Sequence, residues 1–221
     1  MTQDIWTSVD SYIVDMLLPA DDVLDAAVRA ADEAGLPSIQ VSPPQGKFLH
    51  MLAKVQRARR ILEIGTLGGY STIWLARALP ADGTLITMEI DRRHAEVARS
   101  NIERAGLSAK VSVLNGDAHD LLASLEKEAG EAFDMTFIDA DKASIPFYFE
   151  SAMRMSRSGS LILIDNVVRE GAVIDAASED ASVRGVRELN EMIARDARVS
   201  ATVLQTVGVK GYDGLAIALV N

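Results

Sequence analysis

The chain has 221 residues, 48% of them hydrophobic, which is enough for one compact domain with its own core. Its 22 Lys and Arg residues are outnumbered by 32 Asp and Glu residues, and the net charge of −10 disfavours binding to nucleic acid or to an anionic membrane surface. The lack of cysteine excludes disulfides, thiolate zinc sites and cysteine nucleophiles.

Two helices are predicted at the start of the chain. Apolar residues recur at helical spacing over residues 4–18 and 21–34, with Pro19 between the two segments. The apolar faces of these helices exceed what one small domain covers, and they predict a homodimer. The first residues are acidic, and no apolar run reaches the ~18 residues that a membrane span needs, so we expect a cytoplasmic protein.

The next part of the chain alternates between strand and helix patterns. Short apolar runs, separated by helix-patterned segments, occupy residues 61–64, 84–90, 110–114, 133–138 and 160–164. This order predicts a Rossmann-like, doubly wound α/β fold whose sheet is mostly parallel and covered by helices on both faces. We expect a single domain over residues 1–221, with the N-terminal helices in 1–40 and the Rossmann-like core in 41–221.

The last part of the chain has a hairpin pattern. Strand-like runs at residues 201–207 and 215–220 are separated by a turn-rich stretch, in which Asp213 and Gly214 are predicted to form a turn. The sheet is therefore expected to have seven strands and to end in an antiparallel hairpin.

A glycine-rich turn follows the first predicted strand. The turn, residues 65–69, has the spacing G-x-x-G-G and not the G-x-G-x-x-G of dinucleotide-binding folds, which argues against an NAD-dependent oxidoreductase. Glu89 ends the second strand about 20 residues later, where Rossmann-like folds hydrogen-bond a ribose. Together with Glu63, this acid suits a ligand that carries a ribose and a cationic amino acid portion, as S-adenosylmethionine (SAM) does. The turn alone is compatible with any nucleotide-like ligand.

Five motifs follow one another along most of the chain, from about Val41 to Leu219. They are Glu63-Ile64-Gly65-Thr66-Leu67-Gly68-Gly69-Tyr70-Ser71, Met88-Glu89-Ile90-Asp91, Gly116-Asp117-Ala118, Phe137-Ile138-Asp139-Ala140-Asp141-Lys142 and Asp165-Asn166. Together they resemble the catechol and caffeoyl-CoA O-methyltransferase family. The resemblance implies a SAM-dependent O-methyltransferase whose SAM site contains Val41, Glu63, Gly65, Thr66, Ser71, Glu89, Ala118 and Asp139. His119 is placed either at the adenine edge or in solvent.

A metal site is predicted at the ends of two later strands. Asp139 and the pair Asp165 and Asn166 follow successive strands, at the edge where open α/β sheets bind ligands. Two carboxylates and one amide carbonyl suit a hard divalent cation, with Mg²⁺ expected first and Ca²⁺ or Mn²⁺ as alternatives. The resemblance implies these three residues as the metal ligands. Asp and Asn at strand ends also cap turns, which is the alternative for any one of them.

Lys142 is the candidate catalytic residue. It lies three residues after Asp139, and the resemblance implies that it accepts the proton of the acceptor hydroxyl. Because two adjacent hydroxyls on an aromatic ring can chelate a cation while one of them is methylated, the expected acceptor is a catechol-like small molecule. A solvated surface lysine is the alternative. A metal-independent SAM methyltransferase and a non-catalytic SAM-binding protein remain the alternative functions.

Two departures from the family affect the expected acceptor. Asp141 stands where animal catechol methyltransferases have a tryptophan, as in the plant caffeoyl-CoA branch and its bacterial relatives. Residues 205–208 contain no carboxylate, whereas the animal enzymes have a glutamate there that holds the substrate hydroxyl. Residues 167–184 are expected to form either a mobile lid or a solvated helix end. Acceptor choice is expected to depend on this segment and on the N-terminal helices.

Overall fold

The computed structural model describes residues 2–128 and 130–221. Its helices are α1 (Gln3–Leu17), α2 (Asp22–Glu33), α3 (Pro43–Val55), α4 (Tyr70–Ala78), α5 (Arg92–Arg104), α6 (Ala118–Lys127), α7 (Ile145–Arg154) and α8 (Ala181–Arg195). Its strands are β1 (Arg60–Ile64), β2 (Thr84–Glu89), β3 (Val111–Asn115), β4 (Phe133–Ile138), β5 (Ser156–Asp165), β6 (Val199–Gly208) and β7 (Gly211–Val220). A short 3₁₀ helix, Arg169–Ile174, lies between β5 and α8.

The seven strands form one sheet in the order β3-β2-β1-β4-β5-β7-β6. Strands β1 to β5 run parallel, whereas β7 runs antiparallel to both β5 and β6. The predicted Rossmann-like, doubly wound fold with an antiparallel hairpin is confirmed. Because the strand order reverses between β1 and β4, a crevice opens at the carboxyl ends of these strands, where such sheets bind ligands.

The core lies on both faces of the sheet. Successive residues of β1 belong to opposite sides, since Ile61 packs in the cluster with α3 and α4, and Leu62 packs in the cluster with α7 and α8. All six residues of the central strand β4 are buried, as expected for a parallel strand with helices on both faces. The edge strand β6 is exposed along most of its length.

Four helices begin after an aspartate. The carboxylates of Asp21, Asp91, Asp117 and Asp180 accept hydrogen bonds from backbone N–H groups in the first turns of α2, α5, α6 and α8. An acceptor at this position satisfies N–H groups that have no partner within the helix and stabilises it by about 1 kcal/mol. Part of the acidic excess of the chain therefore serves helix capping.

The C-terminal hairpin differs from its predicted form. Its turn is formed by residues 209–210, because Gly208 pairs directly with Gly211. The prediction of a turn at Asp213 and Gly214 was wrong, since both lie within β7. Asp213 has a long-range role that its sequence neighbours do not indicate: its Oδ1 atom accepts hydrogen bonds of 2.9 Å from the backbone N–H groups of Val168, Arg169 and Gly214.

Helix α1 packs against β6 and leaves an apolar stripe exposed. Its Gln3 side chain donates a hydrogen bond of 2.9 Å to the carbonyl of Gly208. The opposite side carries Ile5, Val9, Tyr12 and Met16, which are all about half exposed or more.

In the described part of the chain, no helix combines the length and apolar character that crossing a membrane requires. A cytoplasmic location remains a prediction.

Candidate active site

A cavity of about 1000 Å³ lies at the carboxyl ends of the parallel strands. It extends along the sheet edge from β2 and β3, past β1 and β4, to the segments that follow β5. Of the residues predicted for the site, the cavity is lined by Val41, Gly65, Thr66, Ser71, Glu89, Ala118, Asp139, Lys142, Asp165 and Asn166. Glu63 is the predicted site residue that the lining lacks.

The glycine-rich turn forms the wall of the cavity next to β1. Gly65 has a φ of +101°, and a Cβ there would collide with the backbone carbonyl of Asp139. Gly69 has a φ of +82° and begins α4 in the left-handed region. Glycine is required at both positions, because other residues adopt this conformation only with strain. The turn therefore places the backbone and the N-terminus of α4 against the cavity.

Glu63 lies behind the cavity wall. It is fully buried, and its carboxylate accepts hydrogen bonds from the hydroxyls of Ser71 and Thr87, each at 2.7 Å, and from Thr72. Burial raises the pKa of Glu63 to about 7, although the three hydroxyls favour the charged form. Because Ser71 lies between Glu63 and the cavity, this position does not support a direct contact of Glu63 with a ligand. Glu63 instead orients the Ser71 hydroxyl.

Glu89 lies at the end of β2 with its carboxylate held by backbone groups. Its Oε2 atom accepts a hydrogen bond from the N–H of Leu67 at 2.8 Å, and Oε1 accepts one from Asp91 at 2.9 Å. The side chain is 8% exposed and lines the cavity. His94 on α5, which the sequence analysis did not select, places its Nδ1 atom 3.7 Å from Oε1. The carboxylate is thus fixed in one orientation toward the cavity.

The far side of this half of the cavity is aromatic. Ala118 begins α6, and the ring of His119 stacks on Phe147 with 4.4 Å between centroids. His119 lines the cavity and is half exposed, and its placement at the adenine edge or in solvent stays a prediction. Asp141 accepts a hydrogen bond of 2.6 Å from the hydroxyl of Tyr148.

Asp139, Asp165 and Asn166, the predicted metal ligands, all line the cavity. Burial, followed by the charge of the neighbouring Asp139, raises the pKa of Asp165. The Oδ2 atom of Asp165 accepts a hydrogen bond of 2.6 Å from the Gln45 side chain on α3. Gln45 lies 120 positions away in the sequence, and no local signal identifies it. Asn166 has a φ of +58°, which turns the chain sharply after β5. Two crowded carboxylates and an amide are a donor set that a hard cation fits.

The proposed ligand set differs from a metal centre built only from His, Cys, Asp and Glu side chains. Among residues 2–128 and 130–221, no group of three or more His, Cys, Asp and Glu side chains is placed to hold a metal ion. The predicted set has two carboxylates and takes its third oxygen from the Asn166 amide.

Lys142 is held beside these carboxylates. Its ammonium donates a hydrogen bond of 2.9 Å to Asp139 Oδ1, and the side chain is 9% exposed. The alternative of a solvated surface lysine does not fit this burial. The backbone of Lys142 is fixed by α8, which approaches it closely at Gly185, where a Cβ would collide with the Lys142 carbonyl. Lys142 therefore points into the cavity from a rigid position.

The end of the cavity beyond the metal ligands contains residues that the sequence analysis did not select. Arg169 follows Asn166 by three residues, Ser182 lies in the first turn of α8, and Lys210 lies in the turn of the β6–β7 hairpin. The segment 167–184 thus contributes to the cavity wall, and its motion as a lid remains a prediction. These residues come from separate parts of the chain, so spacing in the sequence could not have identified them.

Two relatives resemble the chain over all or nearly all of its length. The catechol O-methyltransferase of Niastella koreensis is 53% identical over 221 residues, covering 100% of both chains. The catechol O-methyltransferase of Mycobacterium tuberculosis is 48% identical over 213 residues, covering 96% of this chain and 95% of the relative.

Two solved structures of O-methyltransferases are also similar to the chain. An O-methyltransferase from Bacillus cereus in complex with S-adenosylhomocysteine (SAH) superposes with a TM-score of 0.98 at 54% identity and covers 100% of both chains. The O-methyltransferase of tomaymycin synthesis from Streptomyces achromogenes, in complex with SAM, has a TM-score of 0.97 at 50% identity, covering 100% of this chain and 99% of that one. The O-methyltransferase family profile matches residues 18–219. Because this profile covers most of the chain, including the residues that line the cavity at the strand ends, the chain belongs to the O-methyltransferase family.

Proposed function

We propose that the protein transfers the methyl group of SAM to one hydroxyl of a catechol-like small molecule with the help of a divalent cation. One observation carries this proposal. A single cavity contains the glycine-rich turn with Glu89 at one end and the cluster of Asp139, Asp165, Asn166 and Lys142 beside it. The complexes of structural neighbours with SAH and SAM support SAM as the methyl donor, and the names of two relatives support a catechol as the acceptor.

The donor half of the proposed site is assigned to SAM in three contacts. Glu89 would accept hydrogen bonds from the ribose hydroxyls, because its carboxylate faces the cavity from the end of β2. Thr66 and Ser71 of the glycine-rich turn, together with Val41, would hold the amino acid portion. Ala118 would contact the adenine. Asp139 then stands at the boundary between donor and acceptor.

The acceptor half is assigned to the cation and the phenol. Asp139, Asp165 and Asn166 would hold Mg²⁺, with Ca²⁺ or Mn²⁺ as alternatives, and the cation supplies Lewis acidity to a phenolic hydroxyl. Lys142 lies beside Asp139, and we assign it as the base whose Nζ atom takes the proton from that hydroxyl. The phenolic oxygen then forms its bond to the methyl carbon as the carbon–sulfur bond of SAM breaks, and SAH leaves. Holding both reactants in line supplies much of the acceleration.

A methyl-transfer assay tests the proposal. Catechols and hydroxycinnamoyl esters are offered with labelled SAM, with Mg²⁺ and with EDTA. We expect transfer to acceptors with two adjacent hydroxyls, loss of activity in EDTA and recovery when Mg²⁺ is restored. Full activity in EDTA would favour a metal-independent methyltransferase. Tight SAM binding without transfer to any acceptor would favour a non-catalytic SAM-binding protein.

We also propose a single cytoplasmic domain over residues 1–221 that assembles as a homodimer. The dimer is supported by the exposed stripe of Ile5, Val9, Tyr12 and Met16 on α1, since contiguous exposed apolar surface commonly marks an interface. Light scattering at micromolar concentration is expected to give twice the chain mass of 23.8 kDa. Tyr12→Asp should shift the mass toward the monomer, and Ser100→Asp on the exposed side of α5 should not. A monomeric wild-type protein would contradict the dimer.

A further inference from the structure

Arg169 is a cation in the cavity wall without a close acidic partner. Its Nε atom is buried and has no hydrogen-bond partner in the part of the chain that the structure describes. The ion pair that it forms is long, with 3.9 Å between its guanidinium and Asp213 Oδ2. The pKa of Asp180 is lowered mainly by hydrogen bonds from the start of α8, and the charge of Arg169 contributes least to this lowering. Neither acid therefore satisfies the guanidinium, which retains donors for a ligand.

Lys210 brings a second cation to the same end of the cavity. Its ammonium donates a hydrogen bond of 3.0 Å to the backbone carbonyl of Ser38, a neutral acceptor. Burial lowers the pKa of Lys210, while the charge of Asp32 acts in the opposite direction. Both Ser38 and Lys210 line the cavity. Lys210 is exposed, and an ammonium whose one partner is neutral can gain further stabilisation from an anion.

The order of strands in the sheet separates these cations from the donor half. Glu89 and Ala118 belong to the β2 and β3 side of the sheet, and Asp139 follows β4. Arg169 follows β5, and Lys210 joins β6 to β7, so both lie on the side of β5 that is away from β1. A ligand that occupies the cavity with its reacting hydroxyl near Asp139 and Asp165 therefore has its remaining substituents facing the two cations.

We infer that the acceptor is an aromatic diol that carries an anionic substituent, a carboxylate in the first instance, which Arg169 and Lys210 bind. This inference rests on the proposed function, since it concerns the same acceptor. The net charge of −10 gives the molecule a field that repels anions, so an anionic acceptor requires local cations. A neutral catechol would leave the buried Nε–H group of Arg169 without a partner, which is unfavourable.

The experiment compares two acceptors that differ in charge. Binding of 3,4-dihydroxybenzoate and of its methyl ester is measured by calorimetry on the SAH-loaded protein in Mg²⁺, and methyl transfer to both is measured in parallel with SAM. The variants are Arg169→Gln and Lys210→Gln. Arg169→Lys retains a positive charge, and Arg195→Gln on the exposed surface of α8 is the matched control. Unchanged SAH affinity confirms that each variant folds.

Wild type is expected to bind the benzoate about 10- to 100-fold more tightly than the ester, the range of one to two charge-assisted hydrogen bonds. Arg169→Gln and Lys210→Gln should each remove much of this preference without weakening ester binding, and Arg169→Lys should retain part of it. Equal wild-type affinity for both compounds, or equal losses for both in the variants, would overturn the inference.

The outcome also separates this inference from the proposed function. If the benzoate binds through Arg169 but neither compound is methylated, the anion site stands and catechol methylation fails. If both compounds are methylated with equal efficiency and bind equally, catechol methylation stands and the anion site fails. If neither compound binds, both are overturned.

Discussion

The two ends of the cavity are built in different ways. At the donor end, each acid is held by groups that are close in sequence or on the neighbouring strand: Glu63 by Ser71 and Thr72, and Glu89 by Leu67 and Asp91. At the acceptor end, Lys142 pairs with Asp139 three residues earlier, but other contacts join distant parts of the chain. Gln45 binds Asp165 across 120 positions, and Lys210 binds Ser38 across 172. Local motifs therefore describe the donor end, whereas the acceptor end combines a local motif with contacts that only tertiary packing creates.

This difference separates the expected effects of mutation. A change at the donor end should alter SAM affinity and leave the acceptor chemistry intact. A change at the acceptor end should do the reverse. A variant that affects both equally would show that the two halves of the cavity are not independent.

The largest effect is expected for Asp165→Ala. Removing this carboxylate takes away one of two acidic ligands proposed for the cation and also the partner of Gln45. Turnover should fall below detection, while SAM affinity stays within a fewfold of wild type, because the proposed SAM contacts lie on the other side of Asp139. Equilibrium dialysis with SAM and the methyl-transfer assay measure the two quantities. Glu188→Ala, on the exposed side of α8, is the control. Residual activity that resists EDTA would remove the cation from the mechanism.

Lys142→Ala is expected to have the next largest effect. Loss of a general base commonly lowers the rate by about 10²- to 10⁴-fold. Since Lys142 also pairs with Asp139, SAM affinity should be measured alongside the single-turnover rate, and it is expected to change little. Lys127→Ala on the exposed side of α6 provides the control. A rate near that of wild type would show that Lys142 is not the general base.

The buried carboxyl of Glu63 at the donor end should make the free energy of unfolding depend on pH. Its pKa in the folded protein, about 7, is raised above the ordinary value of 4.5, so the protonated form stabilises the fold. This stabilisation is complete below pH 4.5 and is lost as the pH rises through 7. It amounts to about 3 kcal/mol. Urea denaturation of wild type and Glu63→Gln across this range measures it, because other titrating groups cancel in the difference. Parallel stability curves for the two proteins would contradict the raised pKa.

Glu89→Ala is expected to have the smallest of these effects. A lost charge-assisted hydrogen bond to the ribose should weaken SAM binding by about 1.5 to 3 kcal/mol. The acceptor chemistry at saturating SAM should be close to wild type, which is the reverse of the Asp165→Ala pattern. Calorimetric titration with SAM checks the affinity. An unchanged dissociation constant would mean that another group binds the ribose.

The sequence was informative wherever the structure depends on local pattern. The alternation of apolar runs predicted all seven strands, and the glycine spacing predicted a turn in which Gly65 and Gly69 do adopt left-handed conformations. The hairpin turn was misplaced because Asp213 and Gly214 have the composition of a turn, whereas the backbone N–H groups that satisfy Asp213 come from a segment more than 40 positions away.

The same limit applies to the site. Glu63 was expected to contact the ligand, but the alternation of side chains along β1 and the position of Ser71 place it one layer deeper. Arg169 lies in the segment 167–184 that was expected to affect acceptor choice, but neither Arg169 nor Lys210 carries a motif that marks it as part of the cavity. A single sequence holds no signal for such contacts.

The three hydrogen bonds that Asp213 accepts also bear on the order in which the protein folds. The strands of the donor half, β1 to β4, are contiguous in the chain and leave the ribosome before β6 and β7. In the loop after Asn166, which contains the left-handed residues Arg169 and Glu170, the backbone N–H groups of Val168 and Arg169 gain their acceptor only when β7 delivers Asp213. During synthesis, the nascent chain can therefore complete a SAM-binding half first, and it gains an acceptor pocket only with the last strand.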